Sequence, residues 1–369
     1  MLRKSRVLLT AAGIALSVFV ALVMIALAQG ITASLRSTGH PLNVLVTAKG
    51  AETIEFSALD RSTGEILRSS PHVATNGNLT LASPELYISA THESGGKTSQ
   101  AVVRGVLPVA LSVHDQVQIA EGRFPDRPGE IMTGSLVATR IGKPPEELAV
   151  GKTLVLDGMP WKIVGHFHAP GTAFEAEIWA PLDDLMVSVR KEELNTVVLR
   201  AKSSDSLEEL LFDLDTRTDV LVASQRETDY FAAYAAAFRP IGNVVTAMAV
   251  ILTLGGALIG MNTLFAAVTG RTREIGMLRT FGYRRWHIAL GFAIEAVLPA
   301  LAGSIAACIA ALALNGFALK IPMGAFRLAV DAQIIAVGLA LGLAIGLLGS
   351  LLGITRAVRL RTIEAIRQL

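Results

Sequence analysis

The sequence has few charged residues and almost no cysteine. Asp, Glu, Lys and Arg make up only 17% of its 369 residues, and the mean hydropathy is +0.51. An average soluble protein is about 25% charged, so this shortage argues against an ordinary soluble protein. The one cysteine, Cys308, excludes a disulfide framework and a cysteine-based metal site.

Charges are missing from four blocks of the sequence. Each block exceeds the roughly 18 to 20 apolar residues that a helix needs to cross a bilayer. The blocks are residues 7–28, 241–270, 296–319 and 332–355, and a polar stretch, residues 30–239, separates the first two. We therefore predict a membrane protein of four transmembrane α-helices, with a large polar domain inserted between helices 1 and 2.

The basic residues indicate the orientation of these helices, because Lys and Arg collect on the cytoplasmic side of a membrane. They cluster before the first block, between the second and third blocks, and in the tail, as Arg3, Lys4, Arg6, Arg271, Arg273, Arg279, Arg284, Arg285, Arg356, Arg359, Arg361 and Arg367. Both termini are therefore predicted to be cytoplasmic. The long domain, which holds more acidic than basic residues, is predicted to be extracytoplasmic.

A cleaved signal peptide is the alternative for the first block, because Ala26, Leu27 and Ala28 resemble a small-residue cleavage site. The apolar region of a signal peptide is about 7 to 15 residues long, and the first block is longer. A retained first helix is therefore favoured.

Short runs of β-branched and apolar residues, interrupted by Gly and Pro, fill the long domain. They predict strands at residues 43–47, 86–90, 101–105, 153–156, 161–167, 177–180, 196–200 and 220–223. Helices are predicted at residues 135–141, 182–189 and 206–215, the last opened by a capping box of Ser206 and Glu209. The domain is thus predicted to be α+β. Residues 227–238 are predicted to form a stalk helix that continues into transmembrane helix 2 with a kink at Pro240.

The sequence shows no Ser, Cys or carboxylate arrangement typical of an active site. Gly151, Lys152 and Thr153 resemble the end of a phosphate-binding loop, but Glu146 stands where that loop requires glycine. We predict no catalytic, metal-binding or cofactor-binding residue and no nucleic-acid partner. The chain itself is therefore not predicted to be an enzyme.

Two features of the predicted helices leave alternatives open. Glu295 is an ionisable group inside a membrane helix, which predicts either a structural pair with an arginine or a role in coupling or transport. Gly338, Gly342 and Gly346 recur every four residues in helix 4, a spacing that allows close helix contacts. Those contacts lie either within the chain or between two subunits.

The segment between the second and third blocks combines basic residues with an apolar repeat. Ile275, Leu278 and either Phe281 or Gly282 recur at a spacing of three to four residues and predict a short amphipathic helix. A solvated basic loop would satisfy the charge rule equally well, but it would not need this repeat. We interpret the segment as a docking helix for a cytoplasmic partner.

This segment resembles the permeases of the FtsX/MacB superfamily of ABC transporters, to which LolC and LolE also belong. The shared pattern is R-E-I-G-x-L-R-x-x-G, here Arg273, Glu274, Ile275, Gly276, Leu278, Arg279 and Gly282, followed by Glu295 and Ala296. The start of the chain, the stretch from Glu121 to Phe124 and the tail around Glu364 also resemble the family, the second of these its MacB-type periplasmic core domain. Thr362 departs from the pattern, since proline is common there.

The resemblance implies the permease subunit of an ABC transporter in the bacterial cytoplasmic (inner) membrane. Such a permease forms a homodimer or heterodimer and binds a dimer of an ABC ATPase, which holds the ATP. The seven pattern residues would then couple ATP hydrolysis to movement of the external domain, a mechanism called mechanotransmission. Only six residues precede Val7, so the ATPase is expected to be a separate subunit. A periplasmic adaptor protein is a further candidate partner.

The expected activity is export or extraction of an amphipathic substrate. The alternatives are lipoprotein release, activation of cell-wall hydrolases, a sensor or scaffold that transports nothing, and a membrane enzyme. The predicted organisation is a cytoplasmic stub with helix 1 (1–29), the external domain with its stalk (30–239), helix 2 (240–270), the coupling helix (271–287), helix 3 (288–314), a short external loop (315–331), helix 4 (332–355) and a cytoplasmic tail (356–369).

Overall fold

The computed structural model describes residues 2–94, 96–321 and 324–359. Its helices are α1 (Leu2–Arg36), α2 (Arg61–Arg68), α3 (Ala110–Val113), α4 (Val137–Ile141), α5 (Leu182–Val189), α6 (Ser204–Thr216), α7 (Glu227–Ala236), α8 (Arg239–Gly270), α9 (Thr272–Thr280), α10 (Arg285–Ala313) and α11 (Ala332–Arg359).

The strands are β1 (Asn43–Ala48), β2 (Leu59–Asp60), β3 (Thr75–Asn76), β4 (Leu79–Thr80), β5 (Ala82–Ser94), β6 (Lys97–Val106), β7 (Gln118–Gly122), β8 (Glu130–Gly134), β9 (Thr153–Leu156), β10 (Met159–His168), β11 (Glu177–Pro181), β12 (Glu193–Leu194), β13 (Thr196–Arg200), β14 (Val222–Arg226), β15 (Ala318–Ile321) and β16 (Gly324–Arg327).

The chain folds as two compact units. The helical unit comprises Met1–Gly30, Arg239–Phe317 and Leu328–Leu369. The α+β unit comprises Ile31–Phe238 and Ala318–Arg327.

Four helices of the described residues are long and apolar enough to cross a membrane, as predicted. They are Val7–Arg36, Arg239–Gly270, Arg285–Ala313 and Ala332–Val358. Three of them extend several residues beyond their predicted bounds: α1 continues to Arg36, and α10 already begins at Arg285. α11 continues to Arg359, into the predicted tail, and residues 360–369 of that tail lie outside the described part of the chain.

The α+β unit is built on a mixed ten-stranded sheet in the order β14-β1-β13-β5-β6-β11-β8-β10-β7, with β9 paired to β10. Most pairs are antiparallel, whereas β10–β8 and β11–β6 are parallel. The largest core cluster joins apolar side chains of these strands to the buried faces of α5 and α6. The predicted α+β fold and its position between the first two membrane helices are confirmed.

Several local predictions were wrong. The N-cap of α6 is Ser203, whose side chain accepts a hydrogen bond from the Ser206 amide, so the capping box expected at Ser206 is not formed. The strand predicted at residues 220–223 lies further along the chain, as β14 (Val222–Arg226). β7, β8 and α2 were not predicted.

The stalk also differs from its prediction. α7 ends at Ala236, and α8 begins as a separate helix at Arg239. Pro240 therefore occupies the first turn of α8 and does not kink a continuous helix. A proline is tolerated there because the N–H groups of the first turn have no carbonyl partner within the helix, so the N–H that proline lacks is not needed.

The loop predicted at residues 315–331 contains a β-hairpin of the α+β unit. β15 and β16 pair from Ala318 with Arg327 to Ile321 with Gly324. Ala325 of the hairpin is buried in a small cluster with Leu136 and Ala176. Ala318–Arg327, within the loop between the third and fourth membrane helices, are thus part of the α+β unit.

Candidate functional site

The predicted coupling segment forms α9, which is anchored by one residue of the predicted repeat. Ile275 is 1% exposed and packs in a cluster with Leu264 and Val268 of α8, Phe292 of α10 and Ala357 of α11. Gly276 beside it is also buried. α9 therefore packs in one cluster with three of the four long helices.

The other apolar residues of the segment point away from this anchor. Met277, Leu278 and Phe281 are 46%, 39% and 81% exposed. Of the three residues of the predicted apolar repeat, the structure therefore buries Ile275 and exposes Leu278 and Phe281. We call the exposed residues, together with the neighbouring exposed charges of Arg273 and Glu274, the α9 surface.

A glycine in the left-handed conformation ends α9. Gly282 has φ +88°, a conformation that side chains with a Cβ atom disfavour. Its amide donates to the Arg279 carbonyl at 3.2 Å, and the Tyr283 amide donates to the Leu278 carbonyl at 3.1 Å. This is the Schellman arrangement, which terminates a helix abruptly. It explains why a glycine follows this helix.

An ion pair connects the start of α9 to α10. Nη1 of Arg271 donates to Oε2 of Glu295 at 2.8 Å, and both side chains are partly exposed. Of the two alternatives for Glu295, the structure therefore displays the arginine pair. Since Arg271 is the N-cap residue of α9, the pair adds a second attachment of this helix to the membrane helices.

The glycines of helix 4 pack within the chain. A Cβ atom at Gly342 would lie 1.8 Å from Oγ of Ser304, and one at Gly346 would lie 2.9 Å from the Val297 Cα atom, both on α10. At Gly338 it would lie 2.8 Å from the Cys308 sulfur. These three residues thus serve the intramolecular contact of α11 with α10, the first of the two alternatives.

The α+β unit contains a buried network of charged residues that the sequence analysis did not predict. The Arg104 guanidinium donates to both oxygens of Glu177 at 2.7 Å and to Oε2 of Glu85 at 2.6 Å. Nε2 of His114 lies 2.7 Å from the other oxygen of Glu85, and its Nδ1 lies 3.6 Å from Oε1 of Glu227. All five side chains are at most 4% exposed.

This network fixes the first residue of α7. Oε2 of Glu227 accepts hydrogen bonds at 2.8 Å from the His40 amide and from the Asn43 side chain. A Cβ atom at Gly39 would lie 2.8 Å from the Thr228 amide, so the segment after α1 and the start of α7 are in very close contact. Buried polar contacts therefore join the segment that follows α1 to the start of α7.

Burial and charge compete in this network. Burial alone would raise the pKa of Glu85, but the charges of His114 and Arg104, with hydrogen bonds from His114 and Ser83, lower it to about 2. Burial would lower the pKa of His114, yet the neighbouring carboxylates raise it. The pKa of Glu227 is raised, mainly by burial. The native unit therefore favours ionised Glu85 and protonated His114.

These shifts predict a stability maximum at weakly acidic pH. Glu85 contributes fully above its ordinary pKa of 4.5, and about 3 kcal/mol of unfolding free energy is lost as the pH falls from there to about 2. His114 contributes fully below 6.5, and its contribution disappears as the pH rises through its raised pKa. Thermal unfolding of the full chain in detergent, followed by tryptophan fluorescence at a series of pH values, will measure the loss of stability on both sides of the maximum.

Glu85→Gln should reduce the loss of stability at acidic pH, and His114→Gln should reduce the loss at alkaline pH. A wild-type stability that does not change from pH 3 to 9 would contradict the assignment.

A cavity of about 600 Å³ lies beside this network, within the α+β unit. Its walls include Arg104 and Glu177 of the network and an unusual share of the chain's aromatic residues. Three of the four tyrosines of the sequence line it. The aromatic lining consists of Tyr87, Tyr230, Phe231, Tyr234, Phe238 and, from the hairpin, Phe326.

The cavity offers both apolar rings and hydrogen-bond donors. Burial raises the pKa of Tyr230 to about 12 and raises that of Tyr87 further, so both phenols keep their protons near neutral pH. Arg140 and Lys191 add charged groups to the wall. Such a lining suits a ligand with a large apolar body and a few polar groups.

Comparisons with known proteins place this architecture in a family. Residues 7–217 match the family model for the MacB-like periplasmic core domain, and residues 246–362 match the model for the FtsX-like permease C-terminal region. The first match covers more than half of the chain.

Two curated relatives illustrate the similarity. The macrolide export ATP-binding/permease protein MacB of Shewanella sp. (strain W3-18-1) is 26% identical in an alignment of 332 positions that covers 81% of this chain and 48% of that protein. The uncharacterized ABC transporter permease YknZ of Bacillus subtilis (strain 168) is 23% identical over 394 residues, covering 99% of this chain and 95% of YknZ. The chain thus spans about half the length of the MacB relative.

Among solved structures, the periplasmic region of MacB from Actinobacillus actinomycetemcomitans aligns with 52% of this chain and 92% of that structure. The TM-score is 0.40 and the sequence identity is 12%. The two family matches establish the relationship. The chain belongs to the MacB/FtsX family of ABC transporter permeases.

Proposed function

We propose that this chain is the permease subunit of an ABC transporter whose ATPase is a separate subunit. In this proposal the α9 surface binds the ATPase, and both termini lie in the cytoplasm of a bacterium with the chain in its cytoplasmic membrane. ATP hydrolysis moves the α+β unit by mechanotransmission. The observation that carries the proposal is a short helix that is anchored on one face and exposes apolar side chains on the other.

The anchor explains how a partner could act on the membrane helices. Ile275 contacts a cluster formed by α8, α10 and α11, and the Arg271–Glu295 ion pair adds a polar attachment to α10. Protein interiors are close-packed and transmit small displacements instead of absorbing them. A partner that shifts α9 therefore shifts the ends of these helices with it.

The exposed apolar residues of α9 indicate a surface that binds another protein, not one that only contacts solvent. Phe281 and Leu278 lie within one turn of each other and are flanked by the charges of Arg273 and Glu274. An apolar centre with a charged rim is the usual composition of a protein interface. The seven pattern residues thus have two roles: Ile275, Gly276 and Gly282 shape the helix, and its exposed residues bind the ATPase.

For the substrate, the aromatic cavity of the α+β unit supports an amphipathic compound. Its volume of about 600 Å³ lies within the usual range for small-molecule sites, about 300 to 1,000 Å³. The proposed transporter is a permease dimer, either homomeric or heteromeric, with an ATPase dimer. A periplasmic adaptor would receive an exported substrate.

Phe281→Asp should separate the chain from its ATPase. A buried interface aromatic contributes about 2 kcal/mol or more, so a charge there should weaken binding about thirtyfold or more. The measurement is affinity purification of the tagged chain from its native membrane in mild detergent, with mass spectrometry and an ATPase assay of the eluate. Phe56→Asp is the matched control, because Phe56 is 82% exposed but lies in the α+β unit.

The expected result is an ATP-binding subunit recovered with the wild type and with Phe56→Asp, and lost with Phe281→Asp. Equal recovery with all three chains would remove the α9 surface from the proposal. Recovery of a protein that is not an ATPase would instead favour a sensor or scaffold.

A further inference from the structure

The helical unit contains a crevice of about 620 Å³ at its α9 end. Small and apolar side chains of all four long helices form its walls, among them Ala11 of α1, Ala267 of α8, Ala302 of α10 and Gly349 of α11. Leu8 at its rim is 71% exposed, so the crevice opens beside the first turns of α1. It is distinct from the aromatic cavity of the α+β unit.

The length of the crevice matches one leaflet of a bilayer. On α8 its lining runs from Gly260 to Gly270, which corresponds to about 15 Å at 1.5 Å per residue. The hydrocarbon core of a bilayer is about 30 Å thick, so one leaflet contributes about half of that. The crevice therefore extends from the polar end of these helices to about the middle of the membrane.

The charged residues of the crevice lie at its α9 end. Arg271 and Glu295 are the charged residues that line it within the described part of the chain. Arg271 has five N–H donors, and the structure uses one of them on Glu295. The charges of the lining are thus one arginine and one carboxylate, and the arginine keeps further donors for an anion.

We propose that the crevice binds one phospholipid of the leaflet next to α9, with acyl chain inside and phosphate on Arg271. A helix of a second copy, which is about 10 Å wide with its side chains, is the competing occupant, and the variants below distinguish the two. An acyl chain is much narrower and needs no hydrogen bonds along its length. Four of the nineteen lining residues are charged or carry a hydroxyl group. They are Arg271 and Glu295 at the α9 end and the hydrogen-bonded pair of Thr10 and Thr263.

The contact with phosphate decides whether the lipid is retained. Bilayer lipid is as apolar as the crevice wall, so moving an acyl chain into the crevice brings little free energy by itself. A guanidinium binds phosphate by parallel hydrogen bonds while still paired to a carboxylate, because its donors point in several directions. Glu295 would hold Arg271 in position for this contact.

Native mass spectrometry of the full chain in mild detergent tests the proposal. The probes are palmitoyl-oleoyl phosphatidylglycerol and the diacylglycerol with the same two chains. For the first lipid molecule bound, the wild type should have an affinity for phosphatidylglycerol at least about tenfold higher than for diacylglycerol. One charge-assisted hydrogen bond to phosphate can account for a difference of this size. The double variant Arg271→Gln/Glu295→Gln, which leaves no lone charge, should lose this preference.

A variant that fills the crevice has a matched control on the same helix. Ala302→Leu fills it and should weaken phosphatidylglycerol binding about tenfold. Ala306 is also exposed and lies one turn further along α10, outside the crevice, so Ala306→Leu should leave binding unchanged. Ala267→Leu repeats the test from α8 if Ala302→Leu does not fold.

Three results would overturn the proposal. They are equal affinity of the wild type for the two lipids, equal affinity of the Ala302→Leu and Ala306→Leu chains for phosphatidylglycerol, and loss of a dimer instead of a lipid in Ala302→Leu. The last result would assign the crevice to a second copy of the chain. None of these measurements depends on transport or on an ATPase.

Discussion

Arg104→Met should destabilise the α+β unit more than any other single substitution of a charged residue discussed above. The substitution leaves the Glu177 carboxylate buried without its cation and leaves Glu85 with only His114, and breaking a buried pair in this way costs about 3 to 5 kcal/mol of unfolding free energy. The measurement is guanidinium unfolding of the full chain in detergent, followed by the fluorescence of Trp179, which is fully buried beside Glu177.

Arg61→Met is the matched control for this prediction. Arg61 pairs with Asp183 at 2.5 Å, but the two side chains are 59% and 62% exposed, so the loss should be about 1 kcal/mol or less. The triple variant Arg104→Met/Glu85→Gln/Glu177→Gln should recover part of the stability, because it leaves no unpaired buried charge. Equal losses for Arg104→Met and Arg61→Met would contradict the assigned role of the network.

Gly342→Ala should separate α10 from α11. The new Cβ atom would lie 1.8 Å from Oγ and 2.5 Å from Cβ of Ser304, distances that neither helix can accept without moving. Overpacking of this kind costs about 1 to 3 kcal/mol or more. The measurement is the fraction of monodisperse protein after heating, by size-exclusion chromatography in detergent.

Gly255→Ala gives the opposite expectation. Gly255 is exposed within α8 and has no atom within 4 Å of its added Cβ, so the substitution should be tolerated. Adding Ser304→Gly to Gly342→Ala should restore packing, because the glycine at this contact then lies on α10 and leaves room for the alanine on α11. If Gly342→Ala and Gly255→Ala gave the same monodisperse fraction, the contact of α11 with α10 would not need this glycine.

The sequence predicts the membrane helices well because their signal is composition over long windows. Leu8 or Ile251 can face lipid and still contribute to an apolar stretch, so orientation does not matter to the prediction. Strands such as β1 and β13 are predicted because alternation and β-branched residues mark them locally. β7 is missed because all five of its residues are exposed, which leaves no apolar run.

The candidate sites are harder to predict, since they depend on contacts between distant segments. The α9 surface was identified from its pattern, but nothing local distinguishes Ile275, which is buried by three helices, from the exposed Leu278. The buried network left one signal: Arg104 interrupts the apolar end of β6, and a lone charge in such a strand requires a partner. Its partners Glu85 and Glu177 lie on the two neighbouring strands, and no spacing along the chain reveals that pairing.

The hairpin of β15 and β16 gives the α+β unit additional covalent connections. Without it, this unit would be joined to the helical unit only through the chain at Gly30 and Phe238. Because the hairpin belongs to the α+β unit, the chain also passes between the units at Phe317 and at Arg327. The chain therefore crosses between the two units four times, and each of the four long helices is linked along the chain to a segment of the α+β unit.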